Sequence, residues 1–364
     1  MRRLALLLST AVALLPAQKK DEEPPTQVLE LPAEPPLTVK AETSRLVFRV
    51  SPLTSKGLLS SQTRDALNYL MKQDRAGIVK LRAFVAGSGD LRRVQAIASE
   101  MFTKKRRPLP ALTVVQVGAL PMRGAQVLIE SVAEDPRRRH NPDGLAFVSG
   151  QVAMVNQPYE AVRPLAEKSL TDLESAFEAA GVVPENALRI TCLTSAVDGI
   201  DYLRERLYRD YRGAAIAVVQ QTREPTRTMV ACEAVGRLAK APAKSVVYVE
   251  PQDSGLSQVA LVNARELVFT GSQLAFGTRE EDARLAFERL GRALEQAGTS
   301  YDRIVFAGAY PLTWPVAALI AKVRPEFYPS RGAPPPSGTM VAFEGLPSFD
   351  APFALEAIAA VPDR

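Results

Sequence analysis

Three glutamates follow a proline turn at nearly the same spacing, and they are the first residues in this sequence with a pattern that could support chemistry. A carboxylate held at a fixed position can move a proton as a general acid or base. Each glutamate lies eight or nine residues after its proline. The glutamates are Glu130, Glu233 and Glu356, and the prolines are Pro121, Pro225 and Pro347.

Each glutamate belongs to a module of two predicted strands joined by a turn. In the first module, residues 109–133, Val114, Val115 and Val117 form a β-branched apolar run, and Gly124 belongs to the turn. The other two modules span residues 213–236 and 336–359. The glutamates are 103 (233−130) and 123 (356−233) residues apart. This spacing corresponds to about one domain per copy and exceeds a solenoid repeat.

The elements ahead of each module follow the same order, which predicts three ββαβαββ units in an α+β protein. A hairpin comes first, and in the first unit we expect it to pair residues 37–41 with 45–50. Two amphipathic helices and a strand follow. The predicted helices are 61–76, 90–102, 161–180, 199–208, 281–297 and 314–328. The first helix of each unit is followed by a glycine that suits a helix C-terminus, at Gly77, Gly181 and Gly298.

With these motifs the chain resembles the Rid family, the YjgF-type reactive intermediate deaminases, also catalogued as endoribonuclease L-PSP-like. The hairpin motif S-G-Q is present at 149–151 and, more loosely, at 271–273. The resemblance implies chorismate-mutase-like domains, which in the family assemble as homotrimers with ligand sites in the clefts between subunits. It therefore implies three such domains in one chain, at 37–134, 135–240 and 241–364, forming a covalent pseudo-trimer.

The resemblance also shows which active-site residues this chain lacks. The arginine that binds the substrate carboxylate in the deaminases is replaced by Leu112, Ile216 and Gly338. The water-activating glutamate is replaced by Leu128, Ala231 and Ala354. We therefore expect the three retained glutamates to be structural, and we assign no catalytic residue. The ligand-cleft candidates are Ser149, Gly150, Gln151, Gly271, Ser272, Leu112, Ile216, Gly338, Glu130, Glu233 and Glu356, and the cleft of Ser149 is our first choice.

Three functions stay open at this point. The protein could bind a small molecule, such as an imino or keto acid, in its interdomain clefts. It could be an imine or enamine deaminase with a different residue set, or a scaffold whose clefts are filled by side chains. Bulky Leu112 and Ile216 favour a scaffold in two clefts, whereas Gly338 leaves room in the third. Four arginines could replace the missing one, but we expect each to be solvated or to form a salt bridge on its strand: Arg82, Arg189, Arg223 and Arg227.

Composition argues against several other classes of protein. The chain has 364 residues, of which 46% are hydrophobic, and a net charge of +5. Its basic runs, 104–107 and 137–139, contain no aromatic residues, which argues against nucleic-acid binding. One histidine, His140, and two cysteines make a zinc site or a serine triad improbable, and we expect no cofactor or metal. Cys192 and Cys232 fit two buried free thiols better than a disulfide, although the redox state stays open.

The N-terminus predicts export. Residues 1–17 combine two arginines with an apolar run that is too short to span a bilayer, as in a signal peptide. Residues 18–36 form a charged, proline-rich linker. We expect a periplasmic or secreted protein without a membrane segment in its mature form, and a monomer with internal threefold symmetry.

Overall fold

The computed structural model describes residues 32–74, 77–87, 89–251, 255–328 and 334–362. These residues belong to one compact unit that begins at Pro32. The predicted signal peptide and residues 18–31 of the predicted linker lie outside the described residues. The rest of that linker, residues 32–36, contains no helix or strand.

The helices and strands alternate in an α+β order, as the sequence predicts. The α-helices of the described residues are α1 (Leu59–Gln73), α2 (Leu91–Lys104), α3 (Val162–Ala179), α4 (Asp198–Asp210), α5 (Glu280–Gln296) and α6 (Trp314–Val323). The strands are β1 (Thr38–Glu42), β2 (Leu46–Val50), β3 (Ile78–Ala86), β4 (Ala111–Val117), β5 (Val127–Glu134), β6 (Leu145–Val155), β7 (Ala187–Thr194), β8 (Ala215–Gln220), β9 (Thr228–Arg237), β10 (Val246–Pro251), β11 (Ser257–Val262), β12 (Glu266–Thr270), β13 (Gln273–Ala275), β14 (Ile304–Pro311), β15 (Ser337–Met340) and β16 (Phe353–Ala360). No helix of the described residues is long and apolar enough to cross a membrane.

Local sequence explains several of the helix ends. The Asp90 carboxylate accepts a hydrogen bond from the Arg92 backbone N–H and caps α2. Gly181 and Gly298 have left-handed φ angles of 65° and 76° just after α3 and α5, as a helix C-terminus requires. Gly77 does not have this conformation, so its predicted capping role is wrong. The last helix ends at Val323 rather than at residue 328, and Pro325 lies in the 3₁₀ turn that follows.

The strands form three mixed sheets. The first sheet has the order β2-β5-β3-β4, and the second has the order β10-β11-β6-β9-β7-β8. The third sheet has the order β1-β12-β16-β14-β15, and β13 also pairs with β16. The same core recurs in each sheet: a long strand pairs antiparallel with the strand that carries the glutamate and parallel with the strand before the turn. These long strands are β3, β7 and β14.

The predicted opening hairpin of the first unit is wrong. Strand β1 pairs antiparallel with β12, with Thr38 opposite Thr270, and not with β2. Likewise, β11 pairs with β6 of the second sheet rather than with β12, which follows it in the chain. A three-residue connection separates β1 from β2, the 3₁₀ turn Thr43–Arg45, and it carries the chain from one sheet to the next. The proposed boundaries at residues 134 and 240 stay predictions.

The described residues form five hydrophobic core clusters. Three lie between a sheet and its two helices, and they contain Leu67, Leu173 and Phe287. The other two contain residues from all three sheets, so they lie where the sheets face one another. The faces of the sheets opposite the helices therefore enclose a shared interior, and the glutamates lie there.

Candidate functional site

The three glutamates occupy the same register position in their sheets. Glu130 lies opposite Arg82, Glu233 opposite Thr191, and Glu356 opposite Gly308. Their residues are only 3%, 1% and 7% exposed. Because the sheets face a common interior, this register brings three carboxylates that are far apart in sequence into one buried cluster, which we call the central cluster.

Three cations neutralise the central cluster. The Arg82 guanidinium bridges Glu130 and Glu233, each at 2.7 Å, and the Arg189 guanidinium lies 3.3 Å from Glu233. The Lys80 ammonium donates to Glu356 at 2.6 Å. Three hydroxyls complete the set, because Thr113 and Tyr310 donate to Glu356 and Thr191 donates to Glu130. Most of these bonds join different sheets, so the cluster holds the sheets together.

The surroundings lower the pKa of two of these carboxylates. Burial alone raises the pKa of Glu356, but the charges of Lys80 and Arg82 and its hydrogen bonds outweigh burial and lower the pKa to about 2. The pKa of Glu233 is also lowered, because Arg82 and Arg189 outweigh the effect of burial. Burial and the neighbouring Glu356 raise the pKa of Tyr310 well above its ordinary value. A sealed carboxylate that is paired with cations and has a low pKa is a weak general base, so the geometry supports a structural role for Glu233 and Glu356.

A cavity of about 20 Å³ lies among Lys80, Arg82, Glu130, Arg189 and Glu356. Such a space holds about one water molecule. Arg189 lines this cavity, and its Nε atom has no hydrogen-bond partner among the described atoms. The central cluster therefore has no room for a substrate.

The three positions that lack the arginine also match in register. Each lies on the strand before the turn, opposite a residue of the long strand of its sheet. The pairs are Leu112 with Leu81, Ile216 with Ile190 and Gly338 with Ala307. Leu112 and Ile216 belong to the helix-covered cores. The expected space at Gly338 is absent, because a Cβ there would lie 2.3 Å from the Ala307 carbonyl oxygen.

The cleft of Ser149, our first choice from the sequence, is occupied by protein groups. The Ser149 hydroxyl donates to the Ser257 carbonyl at 2.6 Å and accepts from the Gly338 N–H at 2.8 Å. The Gly150 N–H donates to Thr339 Oγ1, and the Gln151 amide donates to the Ser149 carbonyl. These residues join the second and third sheets and have little left to offer a ligand.

An open cleft lies instead between the third and first sheets. It has a volume of about 350 Å³, and its wall includes Leu112, Gly271 and Ser272 from the predicted site. The Ser272 N–H donates to the Leu112 carbonyl at 3.2 Å and so fixes the two walls. Helix α2 contributes Gln95, Ala96 and Ser99, and residues 32–37 form the remaining wall. Of the sequence candidates, these three come together around open space.

The described lining of this cleft mixes apolar and polar groups and lacks a cation. Gln95, Ser99, Ser272 and Gln273 bring amide and hydroxyl groups. Among the described lining residues, Glu34 carries the one charge. The arrangement can bind hydrogen-bonding groups, but it offers no partner for a substrate carboxylate.

The other residues with possible chemistry form internal contacts. Arg223 pairs with Glu344 at 2.8 Å, and Arg227 stacks over the Trp314 ring. His140 pairs with Asp135 at 2.9 Å. The described residues contain no group of histidine, cysteine and acidic side chains that could hold a metal ion.

The prediction that favoured two free thiols is wrong, because Cys192 and Cys232 form a disulfide. They lie directly opposite each other on β7 and β9.

Sequence reasoning missed Lys80 as a member of the central cluster. The signal was present, because Lys80 and Arg82 alternate with apolar residues on a strand whose other residues are buried. Two cations on one face of a buried strand require buried anions, which the three glutamates supply.

Solved structures with similarity to this chain are members of the YjgF/Rid/L-PSP family. YyfB of the Rid family from Yersinia pestis is 17% identical and covers 32% of this chain and 100% of its own, with a TM-score of 0.30. Rv2704 from Mycobacterium tuberculosis is 22% identical, with coverage of 32% and 100% and a TM-score of 0.24. TdcF of E. coli, with bound serine, is 22% identical, with coverage of 34% and 91% and a TM-score of 0.25. No protein-family model matches this sequence. No curated protein matches it.

Proposed function

We propose that the protein binds a small, uncharged polar molecule in the cleft between its third and first sheets. One observation carries this proposal: the cavity beside Leu112 and Ser272 is open, and its described lining offers amides and hydroxyls without a cation. A site of this size and mixture is typical of a small-molecule pocket. The imino or keto acid that the resemblance suggests fits this lining poorly, because Glu34 would repel its carboxylate.

Imine deamination is not the activity that these residues favour. The reaction needs a cation for the substrate carboxylate and a base for the attacking water. Leu112 and Leu128 stand at the two positions where the resemblance places those groups. The nearby Glu356 is buried and paired with Lys80, so it cannot replace the base.

We further propose that the chain is a single-chain counterpart of three Rid-like, chorismate-mutase-like domains. The matching register of Glu130, Glu233 and Glu356 supports this, as do the two hydrophobic clusters shared by all three sheets. Export of the mature chain is part of the same proposal. The pairing of Cys192 with Cys232 supports it, because disulfides persist in oxidising compartments.

A scaffold is the second candidate, and the cleft of Ser149 favours it. There the hydrogen-bonding groups of Ser149 and Gly150 are satisfied by the adjoining sheet. In a pure scaffold the cleft beside Leu112 would be equally inert towards ligands.

The binding proposal is tested by calorimetric titration of the full chain. The probes are neutral primary amides and diols on one side and the carboxylates pyruvate and 2-oxobutanoate on the other. Ala96→Trp fills the cleft from α2, and Lys104→Trp places the same side chain at the exposed C-terminal end of that helix, away from the cleft. We expect neutral probes to bind the parent chain and the Lys104 variant but not the Ala96 variant.

The same titration can contradict the proposal. Preference for the carboxylates, or unchanged binding in the Ala96 variant, would place the ligand elsewhere. Catalysed hydrolysis of imino acids that are generated in situ by an amino-acid oxidase would show that the protein is an imine deaminase. An absence of binding by every probe would favour the scaffold.

A further inference from the structure

The three sheets differ at one edge. In the third sheet, β1 pairs with β12, and in the second sheet, β11 pairs with β6. In the first sheet the corresponding strand is β2, and within the described residues it pairs with β5 alone. Two sheets thus receive an extra strand from another part of the chain, and the first sheet does not.

The correspondence of these edges follows from register. Phe48, Phe147 and Phe269 lie opposite Val132, Val235 and Ile358, each two residues after its glutamate. The added strands place Ala260 opposite Phe147 and Val39 opposite Phe269. No described residue takes this place opposite Phe48.

The missing strand leaves apolar side chains partly exposed. Phe147 and Phe269 are fully buried, whereas Phe48 is half-buried. On the adjoining sheet, Leu188 is also half-buried, and Phe48 and Leu188 line the edge of the same hydrophobic cluster. In the other two sheets the residues in the position of Leu188, Val79 and Val305, are buried.

Residues 135–144 lead from β5 to β6, but they do not fill the edge. They reach the start of β2, where the His140 and Asn141 N–H groups donate to the Ser44 carbonyl. The Asn141 amide donates to the Leu46 carbonyl at 2.9 Å. Because backbone groups alternate along a strand, this bond shows that Leu46, Phe48 and Val50 direct their N–H and C=O groups away from β5. Those of Phe48 and Val50 have no backbone partner among the described residues.

We propose that this edge of the first sheet is a docking site for an extended segment of another polypeptide, which adds as an antiparallel strand beside β2. The two strands that the chain already uses in this way define the occupant. Unpaired edges readily accept such strands, and the ladder of backbone bonds supplies the affinity. We call residues 46–50, together with Leu188, the strand slot.

The two added strands, β1 and β11, also serve as templates for the side chains of the occupant. A small or β-branched residue, as in Val39 and Ala260, belongs opposite Phe48. The next residue of the template, Lys40, points to the helix side, where its ammonium lies against Gly298 at the end of α5.

At the position in the strand slot that corresponds to Lys40, a cavity of about 360 Å³ lies beside Asp74 and Glu134. Arg49 pairs with one Asp74 oxygen at 2.6 Å, and the other Asp74 oxygen has no hydrogen-bond partner among the described atoms. Glu134 has no ion-pair partner there. A lysine or arginine in this position of the occupant would complement these carboxylates.

The probe that tests the proposal is a fluorescein-labelled peptide with the sequence PLTVKAE, a copy of residues 36–42. Its valine N–H would point towards β2 and its lysine N–H away from it, because the Leu37 carbonyl accepts from Gly271 in the template. We expect saturable binding to the full chain by anisotropy. N-methylation of the valine should weaken binding about tenfold or more, and N-methylation of the lysine should change it little.

Hydrogen exchange locates the binding and decides the outcome. In the free chain we expect the Phe48 and Val50 amides to exchange much faster than those of Phe147 and Phe269, and the peptide should slow them. If Phe48 is already as protected as Phe147, the edge is covered by residues 1–31 or by a second copy, and the proposal fails. It also fails if no saturable binding occurs, if both methylations act equally, or if the peptide protects only residues 266–270.

Discussion

The Arg82 guanidinium binds two carboxylates that belong to different sheets, Glu130 and Glu233. Its side chain is nearly sealed from solvent, so solvent screening does not weaken these bonds. A buried ion pair is costly to form but more costly to break, because removal of one partner leaves an uncompensated charge. The residue-scale consequences therefore concern stability more than catalysis.

Arg82→Met should destabilise the fold by about 3–5 kcal/mol, because it leaves Glu130 and Glu233 short of a cation. Urea unfolding of the full chain measures this change. The control is Arg93→Met, which removes an exposed guanidinium that pairs with Glu100. Such a surface pair is worth ~1 kcal/mol or less. Equal losses in the two variants would contradict the account of the central cluster.

Stability should fall with acidity in a window that Glu356 sets. Its pKa is about 2 in the folded chain against an ordinary value of 4.5, so its stabilising contribution is complete above pH 4.5 and is lost as the pH falls from there to about 2. The difference amounts to on the order of 3 kcal/mol. Glu356→Gln should lower stability at pH 7 and flatten the fall between pH 4.5 and pH 2.

Unfolding free energies at pH 7 and pH 3 measure this effect. Glu178→Gln, an exposed residue of α3, is the matched control and should behave as the parent does. The same acid dependence in the parent and in the Glu356 variant would refute the assignment.

At the scale of elements, the sequence predicted the helices and strands well, since apolar periodicity and capping residues are local signals. For example, α3 (Val162–Ala179) falls within the predicted helix 161–180. Strand partners were not predictable, because a three-residue connection is compatible with a hairpin or with a step to another sheet. Strand β10 was missed, although Val246, Val247 and Tyr248 favour a strand.

The candidate site was predictable only in part, for a related reason. Sequence spacing located Leu112, Gly271 and Ser272, but it could not show which of three similar clefts is open. That depends on packing between sheets, such as the bonds that engage Ser149. The expected structural role of Glu130 rested on the absence of the usual catalytic partners. Of its actual partners, Arg82 belongs to the same sheet and Thr191 to another.

The disulfide between β7 and β9 makes a prediction at this scale. Cys192 and Cys232 are both fully buried, and their bond closes a loop across 40 residues of sequence. We expect no free thiol when Ellman's reagent is added to denatured, unreduced protein, and two after reduction. The reduced chain should be less stable by about 2–4 kcal/mol. Two reactive thiols before reduction would contradict the pairing.

At the scale of the whole molecule, three sheets enclose the central cluster between two apolar clusters. The chain supplies all three sheets itself, so association with other copies is not needed to cover them. We expect light scattering to give the mass of one chain at micromolar concentration. A threefold mass would show that the sheets are covered by other copies.

The measurement that tests the central claim most directly is methyl NMR of the full chain during titration with neutral amides and diols. The claim is that one cleft between sheets is open to a polar, uncharged ligand. The account predicts saturable shifts of the Leu112 and Leu274 methyl groups, which line that cleft, and none at Ile216. Shifts at Ile216, or a response to carboxylates alone, would contradict it.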